Sequence, residues 1–276
     1  MFDVEEALRR ALREDIGAGD LTSEAVVPAD ARARGEFVAK EDGVVAGLPF
    51  AGRVFALLEP DAGFEQCVSE GAPVARGEVM ARVTAGARTV LSGERTALNL
   101  VQRLSGIATA TAKVVALLEG SQTRVLDTRK TTPGLRALEK YAVRVGGGTN
   151  HRSGLYDAVL IKNNHLKFAA PSEAIRRARA HAPATASVEI EVETLEQLED
   201  ALSASPDIVM LDNMSVEMMR RAVEIVHKRA RIEVSGNVTA ETIPQLRDLG
   251  VDYVSMGALT HSARALDISL RVTFLG

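Results

Sequence analysis

From Thr123 onward the chain repeats one pattern: a short apolar run, a polar turn, then a helical stretch. The runs are 124–127, 158–162, 187–192, 207–211, 232–234 and 252–256. Helical periodicity fills 134–145, 172–181, 194–203, 215–229 and 239–249, with a weaker stretch at 262–267. Runs this short and apolar read as strands buried on both faces, and strands separated by helices pair in parallel. The repetition predicts a barrel rather than an open sheet. Six repeats rather than eight predict an incomplete one. A last run, 268–275, reads as a strand returning to the sheet of the first domain.

The chain before Thr123 has a different character. Residues 3–14 read as a helix with Val4, Ala7, Leu8, Ala11 and Leu12 on one face. Between 31 and 90, short alternating runs are punctuated by glycine and proline, with a helical run at 51–58. That is the signature of a small mixed sheet carrying a helix. A long helix is expected over 94–118, broken near Ser105-Gly106.

In a barrel of parallel strands, chemistry sits at the C-terminal strand ends. Those ends carry Asp127-Thr128-Arg129-Lys130, Lys162, Glu191, Asp212, Ser235-Gly236-Asn237 and Gly257. The run Val188-Glu189-Ile190-Glu191-Val192-Glu193 sets three carboxylates on one strand face. Buried carboxylates are costly unless paired or bound to metal, so this face is expected to look into a polar lumen with Lys162 or Mg²⁺ as counter-charge. Glycine turns after the last two strands suit a phosphate, held by backbone N–H groups and helix N-termini. Gly146-Gly147-Gly148 follows a helix and reads as a helix stop delivering His151 and Arg152, not as a dinucleotide fingerprint.

Charge narrows the function classes. With 33 Lys and Arg against 37 Asp and Glu the net charge is −4, which disfavours a nucleic-acid partner. Yet cations crowd into 125–165, as a site for a small anion requires. Cys67 is the only cysteine, so no internal disulfide forms, which fits a reducing, cytoplasmic setting. No secretion signal and no membrane-spanning run are expected.

The motifs resemble those of the quinolinate phosphoribosyltransferase family. They are Glu94-Arg95-Thr96-Ala97-Leu98-Asn99, Ser105-Gly106-Ile107-Ala108-Thr109, Asp127-Thr128-Arg129-Lys130-Thr131-Thr132-Pro133-Gly134-Leu135-Arg136, Asn150-His151-Arg152, Leu160-Ile161-Lys162-Asn163-Asn164-His165, Glu191-Val192-Glu193, Leu211-Asp212-Asn213 and Ser235-Gly236-Asn237. The resemblance implies an α/β fold in two parts, the type II phosphoribosyltransferase architecture. An N-terminal open α/β sandwich would cover 1–105, joined by a C-terminal strand in 266–276, and an incomplete α/β barrel would cover 106–265. It implies transfer of phosphoribosyl from phosphoribosyl pyrophosphate to quinolinate with loss of CO₂, giving nicotinate mononucleotide in NAD biosynthesis. Quinolinate, a dicarboxylate, would be held by Arg129, His151, Arg152 and Lys162, with Arg95 supplied by a neighbouring subunit. Thr128 belongs to the same binding set, and Lys130 would span both substrates. Ser235, Gly236, Asn237 and Gly257 would hold the 5′-phosphate. Glu191 and Asp212 would reach ribose hydroxyls or hold Mg²⁺, directly or through water. Lys130, Lys162, Glu191 and Asp212 are the catalytic candidates, and either lysine would serve the final protonation. The resemblance also implies a homodimer or a hexamer of dimers. The alternatives are a related phosphoribosyltransferase of this fold with another substrate, a Schiff-base aldolase using Lys162, and a non-catalytic binding protein.

Overall fold

The computed structural model describes residues 4–236, 238–239 and 241–275. They fall into two compact units. One takes the chain up to Ala112, Thr131–Gly147 and the chain from Leu259; the other takes Lys113–Lys130 and Gly148–Ala258.

In the first unit, β1 (Arg32–Ala39), β3 (Gly63–Gln66), β5 (Val79–Gly86) and β12 (Ile268–Leu275) form an antiparallel sheet of order β12-β1-β5-β3. A two-stranded ribbon, β2 (Gly43–Val44) and β4 (Pro73–Val74), lies beside it in sequence. The return of 268–275 to this sheet is therefore observed, with Arg32 opposite Leu275 and Ala39 opposite Ile268. β1 alternates buried and exposed residues until its register against β5 shifts between Phe37 and Val38; beyond that irregularity its residues are buried without alternation. Helices α1 (Val4–Ile16), α2 (Leu21–Val26) and α3 (Leu48–Leu58) complete this part, and Phe37, Phe55 and Met80 are fully buried in its core.

Helix α4 (Ala87–Leu117) corrects one expectation: it runs unbroken for 31 residues. Gly106 is there for close approach. A Cβ at this position would stand 2.1 Å from the carbonyl oxygen of Arg264. Gly106→Ala is expected to lower stability by about 1–3 kcal/mol, the usual cost of overpacking. A reduced urea midpoint with an unchanged slope is the measurement; an unchanged midpoint would mean that the 264 segment yields freely.

Helix α5 (Arg136–Val145) belongs to the first unit, although its sequence position suggests a barrel helix. The cause is the fully buried Glu139. It pairs with Arg103 of α4 at 2.9 Å and accepts from the Thr132 amide at 3.1 Å and hydroxyl at 2.8 Å. Arg103 also donates to the carbonyls of Thr260 and Ala263. By their internal contacts, 106–112, 131–147 and 259–265 group with the first unit, although the sequence limits put them in 106–265.

The second unit holds β6 (Arg124–Leu126), β7 (Val159–Ile161), β8 (Val188–Val192), β9 (Ile208–Asp212), β10 (Arg231–Ser235) and β11 (Tyr253–Ser255). All pair in parallel, in the order β7-β8-β9-β10-β11-β6. Chain neighbours are sheet neighbours except at one place: β6 joins β11, the last strand, and not β7. Among the described residues β6 and β7 share no ladder; the 149 segment adjoins β6 instead through a single Leu126–Thr149 bridge. This is an incomplete α/β barrel with its opening between two consecutive strands.

Helices α6 (Pro171–His181), α7 (Leu195–Leu202) and α8 (Val216–Val226) connect β7 to β10. α8 stops short of the expected 229 because His227 and Lys228 take left-handed backbones. The helix expected over 239–249 shrinks to α9 (Ile243–Leu246). No helix forms over 262–267; α10 (Ala258–His261) precedes it, and the Leu266 amide donates to the Gln102 carbonyl at 2.9 Å instead. No described helix is long and apolar enough to cross a membrane.

Candidate active site

The C-terminal strand ends of the second unit open onto a cavity of about 560 Å³, within the range of small-molecule sites. Its cations come from the turn after β6 (Arg129, Lys130), the segment before β7 (His151, Arg152) and the end of β7 (Lys162). Its anions are Glu191 of β8, Asp212 of β9 and Glu233 of β10. Thr128, Ser235 and Gly236 also line it, with Leu160, Met210, Asn213 and Ser255. Arg95 is exposed on α4 and does not line this cavity, nor does Gly257. Asn237 lies outside the described residues.

Asp127 organises the cationic side. It is fully buried directly after β6 and accepts from the His151 amide at 2.8 Å and the Asn150 side chain at 2.5 Å. The Thr149 amide donates to Val125 at 2.8 Å. The glycine run ends α5, but this carboxylate is what places His151 and Arg152. A buried acid at the end of an apolar strand was the readable signal.

Arg152 donates to the Ala158 carbonyl at 3.1 Å. Its pKa is held below the ordinary arginine value first by burial and then by the nearby Arg129 guanidinium, with Glu189 and Asp157 opposing. Like charges lining one cavity repel until an anion lies between them, and a dicarboxylate is the natural remedy.

Across the cavity Lys162 Nζ meets Glu191 Oε2 at 3.0 Å. The Asp212 carboxyl is pushed up by burial and next by the Glu191 charge; Asn213, 2.9 Å away, and Lys162 act the other way. Two hard oxygen donors that disfavour each other's charge suit Mg²⁺, which takes one or two carboxylates plus substrate oxygens.

The carboxylates expected along 188–193 separate. Glu189 and Glu191 are buried in β8, whereas Glu193 is beyond the strand, exposed, and accepts from Asn163 at 3.0 Å. Glu189 Oε2 lies 3.1 Å from His151 Nε2, and Glu233 Oε2 lies 3.6 Å from the same nitrogen. His151 Nδ1 accepts from the Arg152 amide at 2.7 Å. Both imidazole nitrogens are therefore engaged by protein groups, while His151 also lines the cavity. Glu189's partner and Glu233 escaped notice in the sequence, although an acid inside Ile232-Glu233-Val234 breaks the apolar rule for a buried strand just as Glu189 does.

At the turn after β10, Gly236 has φ +84°, and a Cβ there would stand 2.3 Å from Asn213 Oδ1. Asn213 is itself left-handed, at φ 54°, and its amide donates to the Ser235 carbonyl at 3.1 Å. The turns after β9 and β10 thus lock together. The expected helix N-terminus is absent here: α9 begins only at Ile243. Backbone amides and the Ser235 hydroxyl remain as donors.

An incomplete parallel barrel whose strand ends set crowded cations against a carboxylate pair defines an α/β-barrel enzyme for anionic substrates. More narrowly, the chain belongs to the quinolinate phosphoribosyltransferase family, whose N-terminal domain matches 20–105 and whose C-terminal domain matches 107–271. It is 43% identical over 273 residues to a probable nicotinate-nucleotide pyrophosphorylase (carboxylating) of Bacillus subtilis, covering 99% of this chain and 94% of that protein. It is 44% identical over 272 residues to the nicotinate-nucleotide pyrophosphorylase (carboxylating) of Mycobacterium leprae, covering 96% and 95%. The crystal structure of NadC from Streptococcus pyogenes matches with a TM-score of 0.95 at 44% identity, covering 99% of this chain and 97% of that one.

Proposed function

We propose that this protein transfers phosphoribosyl from phosphoribosyl pyrophosphate to quinolinate, releasing pyrophosphate and CO₂ and forming nicotinate mononucleotide, a step of NAD biosynthesis. The observation that carries the reading is that Arg129, Lys130, Arg152 and Lys162 line one cavity. Arg129 and Arg152 take the adjacent carboxylates as planar forks. Ser235 and the Gly236 backbone take the 5′-phosphate. Glu191 and Asp212 hold ribose hydroxyls and, with them, Mg²⁺; the metal supplies charge neutralisation for the leaving pyrophosphate.

Bond breaking at the ribose C1 builds positive charge there and negative charge on pyrophosphate. In this reading Lys130, which lines the cavity, meets the second. Attack by the ring nitrogen makes that nitrogen cationic. The carboxylate beside it then leaves as CO₂, because the electron pair left on carbon sits next to the positive nitrogen. Lys130 or Lys162 returns a proton to that carbon.

Arg95 is exposed on α4, which suits donation into the site of a second copy. Leu155, Tyr156 and Phe168 are at least 74% exposed, and exposed apolar side chains of this size favour self-association. A homodimer or a hexamer of dimers, working in the cytoplasm, is the assembly this reading expects. An imine-forming Lys162 is disfavoured, because Glu191 engages its amine at 3.0 Å and an imine lysine wants a less charged pocket.

The test is steady-state turnover with phosphoribosyl pyrophosphate and either quinolinate or nicotinate. Quinolinate is expected to react with stoichiometric CO₂ release and nicotinate not to react. Turnover of nicotinate alone would establish the alternative, a transferase of this fold with another substrate.

A further inference from the structure

Glu233 is a carboxylate in a place that ordinarily excludes one. It sits in the middle of β10, fully buried, and both of its oxygens lack a hydrogen-bond partner. One oxygen of Glu189 is buried and unpartnered as well, and so is the nearby Ser255 hydroxyl. His151 Nε2, Glu189 and Glu233 present atoms that lie within 4.8 Å of one another. Two buried carboxylates are thus directed at one imidazole nitrogen.

Two negative charges cannot share a single N–H in a buried site without severe cost. Among the described neighbours, His151 and the Ser255 hydroxyl favour the charged form, but less than burial and Glu189 oppose it. The flanking strands put Met210 and Tyr253 in register with Glu233, and the Tyr253 hydroxyl takes a bond from Arg231 at 3.0 Å. Arg152 acts electrostatically on Glu189. The acid with no exposure at all is the one that must be neutral.

The imidazole tautomer follows from its partners. Nδ1 accepts from the Arg152 amide, so the proton sits on Nε2 and is directed at Glu189. That nitrogen has no lone pair left for a metal ion, which favours a proton over a divalent cation in this cluster.

We propose that Glu233 is a positioning residue. It carries a proton in the working enzyme and closes a chain running Glu233–Glu189–His151–Arg152, which holds the 151–152 backbone so that the Arg152 guanidinium meets the dicarboxylate. The proposal rests on the quinolinate reading of this site and adds to it a cavity-floor residue that acts through Glu189 and His151. Burial and the Glu189 charge raise the Glu233 pKa to about 8, with His151 opposing. The acid is therefore neutral below that pH. Above it a second negative charge appears under the dianion site and weakens substrate binding.

Glu233→Ala and Glu233→Gln, assayed as full-length enzyme, test this. Glu233→Ala is expected to raise KM for quinolinate by about tenfold or more, the scale of effect that misplacing a binding group produces, with a smaller change in kcat. Glu233→Gln, a neutral isostere, is expected to restore most of that loss at pH 7. It should also abolish the rise in KM expected of the wild type above about pH 8. Glu233→Gln as impaired as Glu233→Ala at pH 7 overturns the proposal, because an anion is then required. So does a stoichiometric divalent ion that is present in the wild type and lost in Glu233→Gln. A readout independent of substrate is the infrared difference between wild type and Glu233→Gln at pH 7, which should contain a protonated-carboxyl band. If quinolinate proves not to be the substrate, that band is still expected. Its absence refutes the proton on Glu233 whatever the substrate is.

Discussion

Arg152→Ala is expected to lower kcat/KM for quinolinate by about two orders of magnitude, roughly 3 kcal/mol, mostly through KM. The side chain is partly buried, and burial first, then the like charge of Arg129, holds its pKa below the ordinary arginine value. In the free enzyme the two guanidiniums therefore repel. Bound dicarboxylate turns that repulsion into two bidentate contacts. Removing Arg152 deletes one of them and also relieves the strain of the unliganded site. Folding stability should accordingly hold steady or rise while affinity falls. Arg152→Lys is not expected to rescue, since an ammonium offers no planar fork. Steady-state kinetics beside a urea melt make the comparison. An unchanged KM would place the dicarboxylate elsewhere.

Lys130→Ala is expected to do the reverse: kcat falls by about 10²–10³-fold, the usual loss on removing one stabilising donor from a transition state. Folding should move by no more than about 0.5 kcal/mol, as for other exposed positions. The backbone of this turn does not depend on the lysine side chain, because the Lys130 amide donates to the Thr128 hydroxyl at 3.0 Å. Single-turnover measurements with both substrates saturating isolate the chemical step. Near-wild-type turnover would remove Lys130 from the catalytic set.

Much of the second unit was legible in the chain. Each of the six apolar runs became a strand within about two residues of its expected limits, because a strand buried on both faces tolerates few polar residues and so marks its own ends. The placement of Arg129, Lys130, His151, Arg152, Lys162, Glu191 and Asp212 around one cavity followed from the register shared by the strand ends. The less legible features depend on contacts far apart in sequence. Gly106 has the composition of a helix break, but what it meets is the Arg264 carbonyl. Residues 136–145 follow a barrel strand, yet the partner that claims their buried Glu139 is Arg103. The pattern at 188–193 announced a polar face but not that Glu189 and Glu191 would find different partners. Glu233 was hidden for the opposite reason, being a lone acid in a run too short to alternate.

The sheet of the first unit has an implication for how the chain is made. β12 covers one edge of β1, and β6 finds its neighbour in β11. Each unit is therefore closed by pairing an early segment with a late one, the arrangement that slows folding because distant ends must meet before contacts reward them. Until residue 275 has left the ribosome, β1 presents a bare edge able to recruit any extended strand. Chains cut before Ile268 should accordingly be lost to aggregation before they are lost to inactivity.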